Sequence, residues 1–186
     1  MILPVLVYGD PVLKKKTENI TSDYPDLQTI IANMFETMYN ARGVGLAAPQ
    51  IGLPISIFII DTKEMEEDEN KDKAVKQTFI NAEIIEFSGE DCTFSEGCLS
   101  VPDVHEDVRR KSQITIRYMD KDFVEHIDTF DGMPARVIQH EYDHTIGKTF
   151  IEYLSPLKKT ILKGKLNDIS TGKKTTFYKT KSNKLK

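Results

Sequence analysis

The sequence has 186 residues, 39% of them hydrophobic and 29% charged, which suits one soluble globular domain with a core of its own. Two cysteines exclude a disulfide framework, no apolar run approaches the roughly 18 residues of a membrane span, and Met1 to Leu6 is too short for a secretory signal. The net charge of −4 is uneven: residues 158–186 carry ten lysines against one acid, Asp168, so an acidic body ends in a basic segment.

In chain order, Ile2 to Val7 is a short apolar run broken by Pro4, and Asp10-Pro11 marks a turn. Leu27, Ile30, Ile31, Met34, Phe35 and Met38 then recur at helical spacing. They predict an amphipathic helix of about four turns, starting near Ser22 or Asp23 and ending before Gly43. The methionines fall on its apolar stripe and read as core, not as ligands. GVGLAAPQIG, residues 43–52, is small, uncharged and glycine-punctuated, as a helix-to-strand connector would also be. No Gly-Lys-Ser/Thr follows, so it is not a phosphate loop. Gln50 stands out, because a side-chain amide can donate to a developing oxyanion.

ISIFII, residues 55–60, reads as a buried strand, and residues 63–73 as an acid-rich exposed loop. Residues 78–87 predict another strand, followed by a turn at Gly89-Glu90-Asp91. Cys92 reads as a buried, inert thiol, whereas Cys98 lies in EGCLS, an apolar, glycine-bearing segment. His105, in a polar stretch, and His126 are expected to face solvent. Gln113 to Tyr118 and Phe123 to Ile127 flank Asp120-Lys121-Asp122, predicting an antiparallel hairpin.

RVIQHEYDHTIG, residues 136–147, carries the chemistry. Residues four apart on a helix stack on one face, so His140 and His144 can reach one metal ion. Glu141 between them is placed to act on a water beside that ion. The bland alternative is a surface helix whose histidines pack or face water. Gly147 supplies a stop, and Ser155-Pro156 opens a last helix to about Asn167. Residues 1–170 are thus expected to form one catalytic domain, with residues 171–186 a lysine-rich, partly disordered tail.

A third ligand is needed. The extended zinc-protease pattern would put a histidine where Phe150 stands. Glu152 and Asp168 are the downstream carboxylates. Cys98 offers a strong soft donor, and two imidazoles with a thiolate leave a position open. A lone thiol is also well explained by packing, so spacing alone does not decide.

GVGLAAPQIG, EGCLSVP and QHEYDHTIGKTF, in this order, resemble the three signature motifs of the peptide deformylase family, and the opening ILPVLVYGDPVL and the phrase IEYLSPLK are similar to it as well. The resemblance implies an α+β fold, with small antiparallel β-sheets around a central metal-binding helix and a C-terminal helix. It also implies removal of the formyl group from the N-terminal formyl-methionine of newly made polypeptides in the bacterial cytoplasm, releasing formate. By motif, Cys98, His140 and His144 would hold a divalent metal, Fe(II) in the cell, with Zn(II), Ni(II) or Co(II) able to take its place. Glu141 would be the general acid/base, and Gln50 with the backbone N–H of Leu99 the oxyanion hole.

The resemblance further implies a methionine pocket walled by Val44, Phe94, Leu99, Met133 and Val137, with His140 at its floor. Gly45 would contact the peptide backbone, and Glu96, counted with the substrate-binding set, would pair with Arg110. An exposed pair of that kind is worth little. His105 falls where some family members carry an arginine that contacts the peptide, which bears on affinity for longer peptides and not on the chemistry. The implied partners are nascent chains and, through the basic tail, the ribosome; neither a membrane nor specific DNA is expected. A metallopeptidase cleaving internal bonds is disfavoured by Phe150 and the Cys98 motif. A catalytically dead binding module is disfavoured by the intact set of Gln50, Cys98, His140, Glu141 and His144.

Overall fold

The apolar run at residues 55–60 becomes an inner strand, and its alternation determines where two helices pack. The structure, a computed structural model, describes residues 1–63, 65 and 73–182, so the expected acid-rich loop lies mostly outside the described residues. An antiparallel sheet runs in the order β2 (Gly45–Ala47), β3 (Ile57–Asp61), β4 (Lys76–Cys98), β5 (Val101–Met119) and β6 (Glu125–Asp131). Successive side chains of a strand point to opposite faces. Ile57 and Ile59 pack with Leu46 and Ile80 against Ile31, Met34 and Met38 of helix α1 (Leu27–Asn40). Phe58 and Ile60 pack with Ala47 and Phe79 against Ala135, Val137 and Ile138 of helix α2 (Gly132–Thr145). A strand covered on both faces is apolar throughout, which is why ISIFII lacks polar alternation.

Helix α1 has the expected stripe, with Met34 and Met38 wholly buried. It starts later than Ser22 or Asp23. Pro25 disfavours the helical region for Tyr24, and Asp26 enters the helix from a left-handed conformation at φ 56°.

Strands β4 and β5 run for 23 and 19 residues and form the longest pairing in the sheet. The expected turn at residues 89–91 is instead inside β4, where a register shift between Ser88 and Asp91 marks a bulge. The hairpin of β5 and β6 does turn at Asp120-Lys121-Asp122, and the Asp120 carboxylate accepts from the N–H groups of Asp122 (2.8 Å) and Val124 (3.0 Å).

Helix α2 begins four residues before Arg136 and is stopped at Gly147. There φ is +76°, and a Cβ would lie 2.6 Å from the Lys14 carbonyl oxygen, so only glycine fits. A third core of Val101, Val104, Val108, Phe150 and Ile151 is closed by Leu166 and Ile169 of helix α3 (Pro156–Ser170). The Ser155 hydroxyl caps α3, accepting from the Lys158 N–H at 3.3 Å.

The expected disordered tail is not what residues 171–182 form: they return to the body, where β7 (Thr180–Lys181) pairs with β1 (Val5–Leu6). That two-stranded pairing is parallel, while the five-stranded sheet is antiparallel throughout, as the expected α+β fold requires. Among the described residues no helix is long and apolar enough to cross a membrane.

Candidate metal centre

Cys98 ends β4 and pairs with Val101 across the short link Leu99-Ser100, so its thiol projects from a hairpin tip that meets α2. His140 and His144 stand one turn apart on α2, their ring centroids 5.3 Å apart and nearly perpendicular. Donor atoms of the three residues lie within 4.8 Å of one another, and Cys98 Sγ is 3.3 Å from His144 Nε2. Bonds of about 2.0–2.3 Å in a tetrahedral site put donors roughly 3.3–3.8 Å apart, so a slight closure suffices. Among the described residues, these are the groups close enough to hold an ion. Phe150 does not ligate; it is buried and stacked against His140, 6.1 Å between centroids.

Glu141 lies deep beside this cluster, and its Oε2 is buried with no hydrogen-bond partner among the described residues. Burial pushes its carboxyl up to about 7, the range in which a carboxylate can both take and return a proton near neutrality. Gly45 on β2 makes room for it, since a Cβ there would lie 2.7 Å from both Cγ and Cδ of Glu141. Burial likewise pushes His144 well below its ordinary value, keeping the ring neutral with a lone pair to give. A thiol, two imidazoles and an unpaired buried carboxylate fit a divalent transition ion with a water next to it.

The ring of His140 is oriented by Glu96, whose Oε2 is 2.9 Å from Nδ1, leaving Nε2 as the donor for a metal. Glu96 thus sets the His140 ring, and it also lines the cavity beside the cluster. Its partner Arg110 donates to it through Nε (2.6 Å) and Nη2 (3.0 Å) and to Asp143 through Nη1 (2.8 Å). Both Glu96 and Arg110 side chains are only 4% exposed, which rules out a surface couple. Tyr153 lies 4.7 Å under the Arg110 guanidinium and donates to Asp143 at 2.9 Å. Burial alone would raise the Glu96 pKa, but bonds from His140 and Arg110 hold it well below the usual carboxylate range.

Arg136 donates to Glu96 at 2.9 Å and to the Cys92 carbonyl at 2.8 Å, with the Cys92 sulfur at 2.9 Å. Cys92 itself is exposed, not the buried thiol expected.

The amide of Gln50 is fixed in direction. Its oxygen accepts from the Ala47 N–H at 2.7 Å, which turns its NH₂ toward Ser100 Oγ (3.2 Å) and Cys98 Sγ (3.5 Å). A donor aimed beside the thiol is where an oxyanion donor belongs.

From this cluster a cavity of about 640 Å³ opens outward, and Val44, Gly45, Phe94, Leu99 and Val137 line it together with Gln50, His140 and Glu141. Met133 does not; it borders a separate shallow cavity with Val75 and Phe130. His105 is exposed at the rim, packed over Gly97. His126 is half-buried and 2.9 Å from Asp120, away from the cavity and not simply in solvent.

Sequence reasoning missed several residues. Ser100 and Asp143 stand inside the quoted motifs, where a polar group beside the ligands was the available signal. Arg42, Phe177 and Tyr178 also line the cavity, yet nothing local in the sequence marks them.

The sequence matches the family model described as polypeptide deformylase over residues 2–160. It is 55% identical to the peptide deformylase of Flavobacterium johnsoniae, covering 97% of this chain and 96% of that protein. Among solved structures, a peptide deformylase from Legionella pneumophila is 37% identical with a TM-score of 0.79, covering 93% of this chain and 98% of that one. One from Ehrlichia chaffeensis is 29% identical with a TM-score of 0.83, covering 93% and 97%.

Proposed function

This chain belongs to the polypeptide deformylase family, and we propose that its reaction runs at the Cys98, His140 and His144 cluster, with Glu141 as the proton carrier. The reaction is metal-dependent hydrolysis of the formyl group on the N-terminal formyl-methionine of new polypeptides, with release of formate. The observation that carries the site reading is the convergence of the three donors beside the unpartnered Glu141 oxygen.

A divalent ion bound there would supply Lewis acidity toward a water and the formyl oxygen. Glu141 takes the proton of the attacking water, whose oxygen bonds to the formyl carbon. The Gln50 amide and the Leu99 N–H donate to the oxyanion that develops. Glu141 then returns the proton to the methionine nitrogen as the C–N bond breaks, giving formate and a free amine. Val44, Phe94, Leu99 and Val137 form the apolar wall for the methionine side chain. Gly45, on the strand beside Glu141, contacts the peptide backbone.

The ion is Fe(II) in the cell, as the family resemblance implies, with Zn(II), Ni(II) and Co(II) as substitutes that a thiolate with two imidazoles also suits. The enzyme works in the bacterial cytoplasm, where nascent chains emerge. The lysines of α3 and the segment after it, such as exposed Lys163, Lys165 and Lys173, favour an RNA-rich surface such as the ribosome. Co-sedimentation with ribosomes at two salt concentrations, for the parent and for a variant carrying Lys163→Glu, Lys165→Glu and Lys173→Glu, tests that contact; equal binding by both forms would sink it.

The test of the site is formate release from a formyl-Met dipeptide and its unformylated twin, with the protein kept anaerobic and loaded with Fe(II) or Ni(II). Formate from the first substrate, abolished by a chelator and by Cys98→Ala, is the expected result. Undiminished turnover in Cys98→Ala would remove the thiol from the ligand set.

A further inference from the structure

The match to the family model ends at residue 160, and the outer wall of the catalytic cavity includes residues 175–178, beyond it. This segment is tied down on both sides. Lys174 Nζ is 2.7 Å from the Asp103 carboxylate before it, and the Lys179 carbonyl accepts from the Val5 N–H at 2.9 Å after it, where β7 joins β1. Between these anchors the Tyr178 hydroxyl donates to the Leu99 carbonyl at 2.7 Å. Phe177 is the one large side chain here that finds no cover: 69% of it is exposed. Its ring stands edge-on to Tyr178, 5.1 Å between centroids, with the Arg42 guanidinium 5.2 Å over it.

An aromatic ring held out over a cavity by an anchored backbone is a surface ready for a ligand, because little ordering entropy remains to be lost. The cavity is continuous from His140 and Glu141, past Val44, Leu99 and Val137, to Phe177. A peptide with its formyl group at the inner end and its methionine side chain among the apolar residues must lead its next residues outward along this wall.

We propose that Phe177, backed by Arg42, is a specificity-determining residue that takes a bulky apolar or aromatic side chain from one of the two residues following formyl-methionine. The proposal rests on the reading of this cavity as the deformylase site and adds a substrate preference to it. The face of the ring left open offers stacked or edge-to-face contact to an incoming aromatic side chain, which a small or charged residue cannot use.

The test uses the full-length, metal-loaded protein and three substrates, formyl-Met-Ala-Ala, formyl-Met-Phe-Ala and formyl-Met-Ala-Phe, with kcat and KM read from formate release. One phenylalanine-bearing peptide should be favoured over the alanine peptide in kcat/KM. Phe177→Ala should shrink that preference by roughly five-fold, chiefly through KM, and Phe177→Tyr should restore it. Because the ring is exposed, the variant should melt with the parent, and a melting curve checks this. A preference that is absent in the parent, or unchanged in Phe177→Ala, would overturn the proposal while leaving the deformylase reading intact. No formate from any of the three peptides would overturn that reading and this proposal together.

Discussion

Gly45→Ala puts one methyl group where Glu141 packs. The added Cβ would lie 2.7 Å from Cγ and Cδ of Glu141, where ordinary contact begins at 3.4 Å, so something must move. Gly45 is held in β2 against Ile60 of β3, and Glu141 is held by the α2 backbone, which leaves rotation about the Glu141 Cα–Cβ bond, carrying Cγ and the carboxylate with it, as the easiest response. The carboxylate then shifts by roughly 1 Å, a misplacement that costs about 10²-fold in rate. In barrier terms this is about 2.7 kcal/mol. The packing strain should destabilise the fold by about 1–3 kcal/mol. The atoms that a Cβ at Gly45 meets first all belong to Glu141 and not to Cys98, His140 or His144, so metal content should stay at the parent level. Formate release gives kcat, elemental analysis gives the metal, and a denaturant titration gives stability. Shortening the obstacle sharpens the test: in a Glu141→Asp background, already slow, adding Gly45→Ala should cost much less than it does alone. A Gly45→Ala protein with full metal and a kcat within roughly two-fold of the parent would refute the idea that Gly45 exists to place Glu141.

Glu141→Gln keeps the shape but cannot carry the proton, so metal should be retained while kcat falls by about 10²–10⁴-fold; near-parent turnover would end its assigned role. Glu96→Ala takes from buried Arg136 its carboxylate partner and leaves buried Arg110 with Asp143 alone, and should cost roughly 3–5 kcal/mol in a denaturant titration. By freeing the His140 ring it should also weaken metal binding about 10–100-fold in a chelator competition. The Glu96 pKa is depressed in the folded protein below its ordinary 4.5, so its contribution to stability is complete above that pH and is lost as the pH falls further. Acid unfolding below pH 4.5 should therefore be steeper for the parent than for Glu96→Gln, and equal slopes would contradict the burial of that charge. Gly147→Ala adds a Cβ 2.6 Å from the Lys14 carbonyl at a left-handed φ, and should lower stability by about 1–3 kcal/mol in a thermal melt; a parent-like melt would show that the N-terminal segment yields freely.

The parts of this molecule that were legible in advance are those whose partners lie within a turn or a strand of each other. The stripe from Leu27 to Met38 repeats every three or four residues, and α1 presents it to the sheet. The Ser155-Pro156 cap and the Asp120-Lys121-Asp122 hairpin are equally local. The spacing of His140 and His144 is legible for the same reason, while Cys98, 42 positions before His140, is a candidate beside Glu152 and Asp168 among which spacing alone does not decide. The turn expected at Gly89 failed because a glycine with polar neighbours serves a bulge as well as a turn, and only the partner strand decides which.

Arg110 shows why the rest stayed hidden. The polar stretch around His105 carries no strand signal of its own, since a charge at an inward position breaks the alternation by which a strand is recognised. Yet Val104, Val108 and Arg110 all point inward, and Arg110 is tolerated there because Glu96 and Asp143, 14 and 33 positions away, complete its hydrogen bonds. Each acid is less stable in the core without it, and neither can be assigned inward from its own neighbours. The inward position of each charge depends on the others, so no single segment reveals it. The dependence has a functional end, because the Glu96 that Arg110 neutralises is the same carboxylate that sets the ring of His140. A strand with a buried arginine looks like an exception to the rules of packing until His140, at the far side of the network, is included.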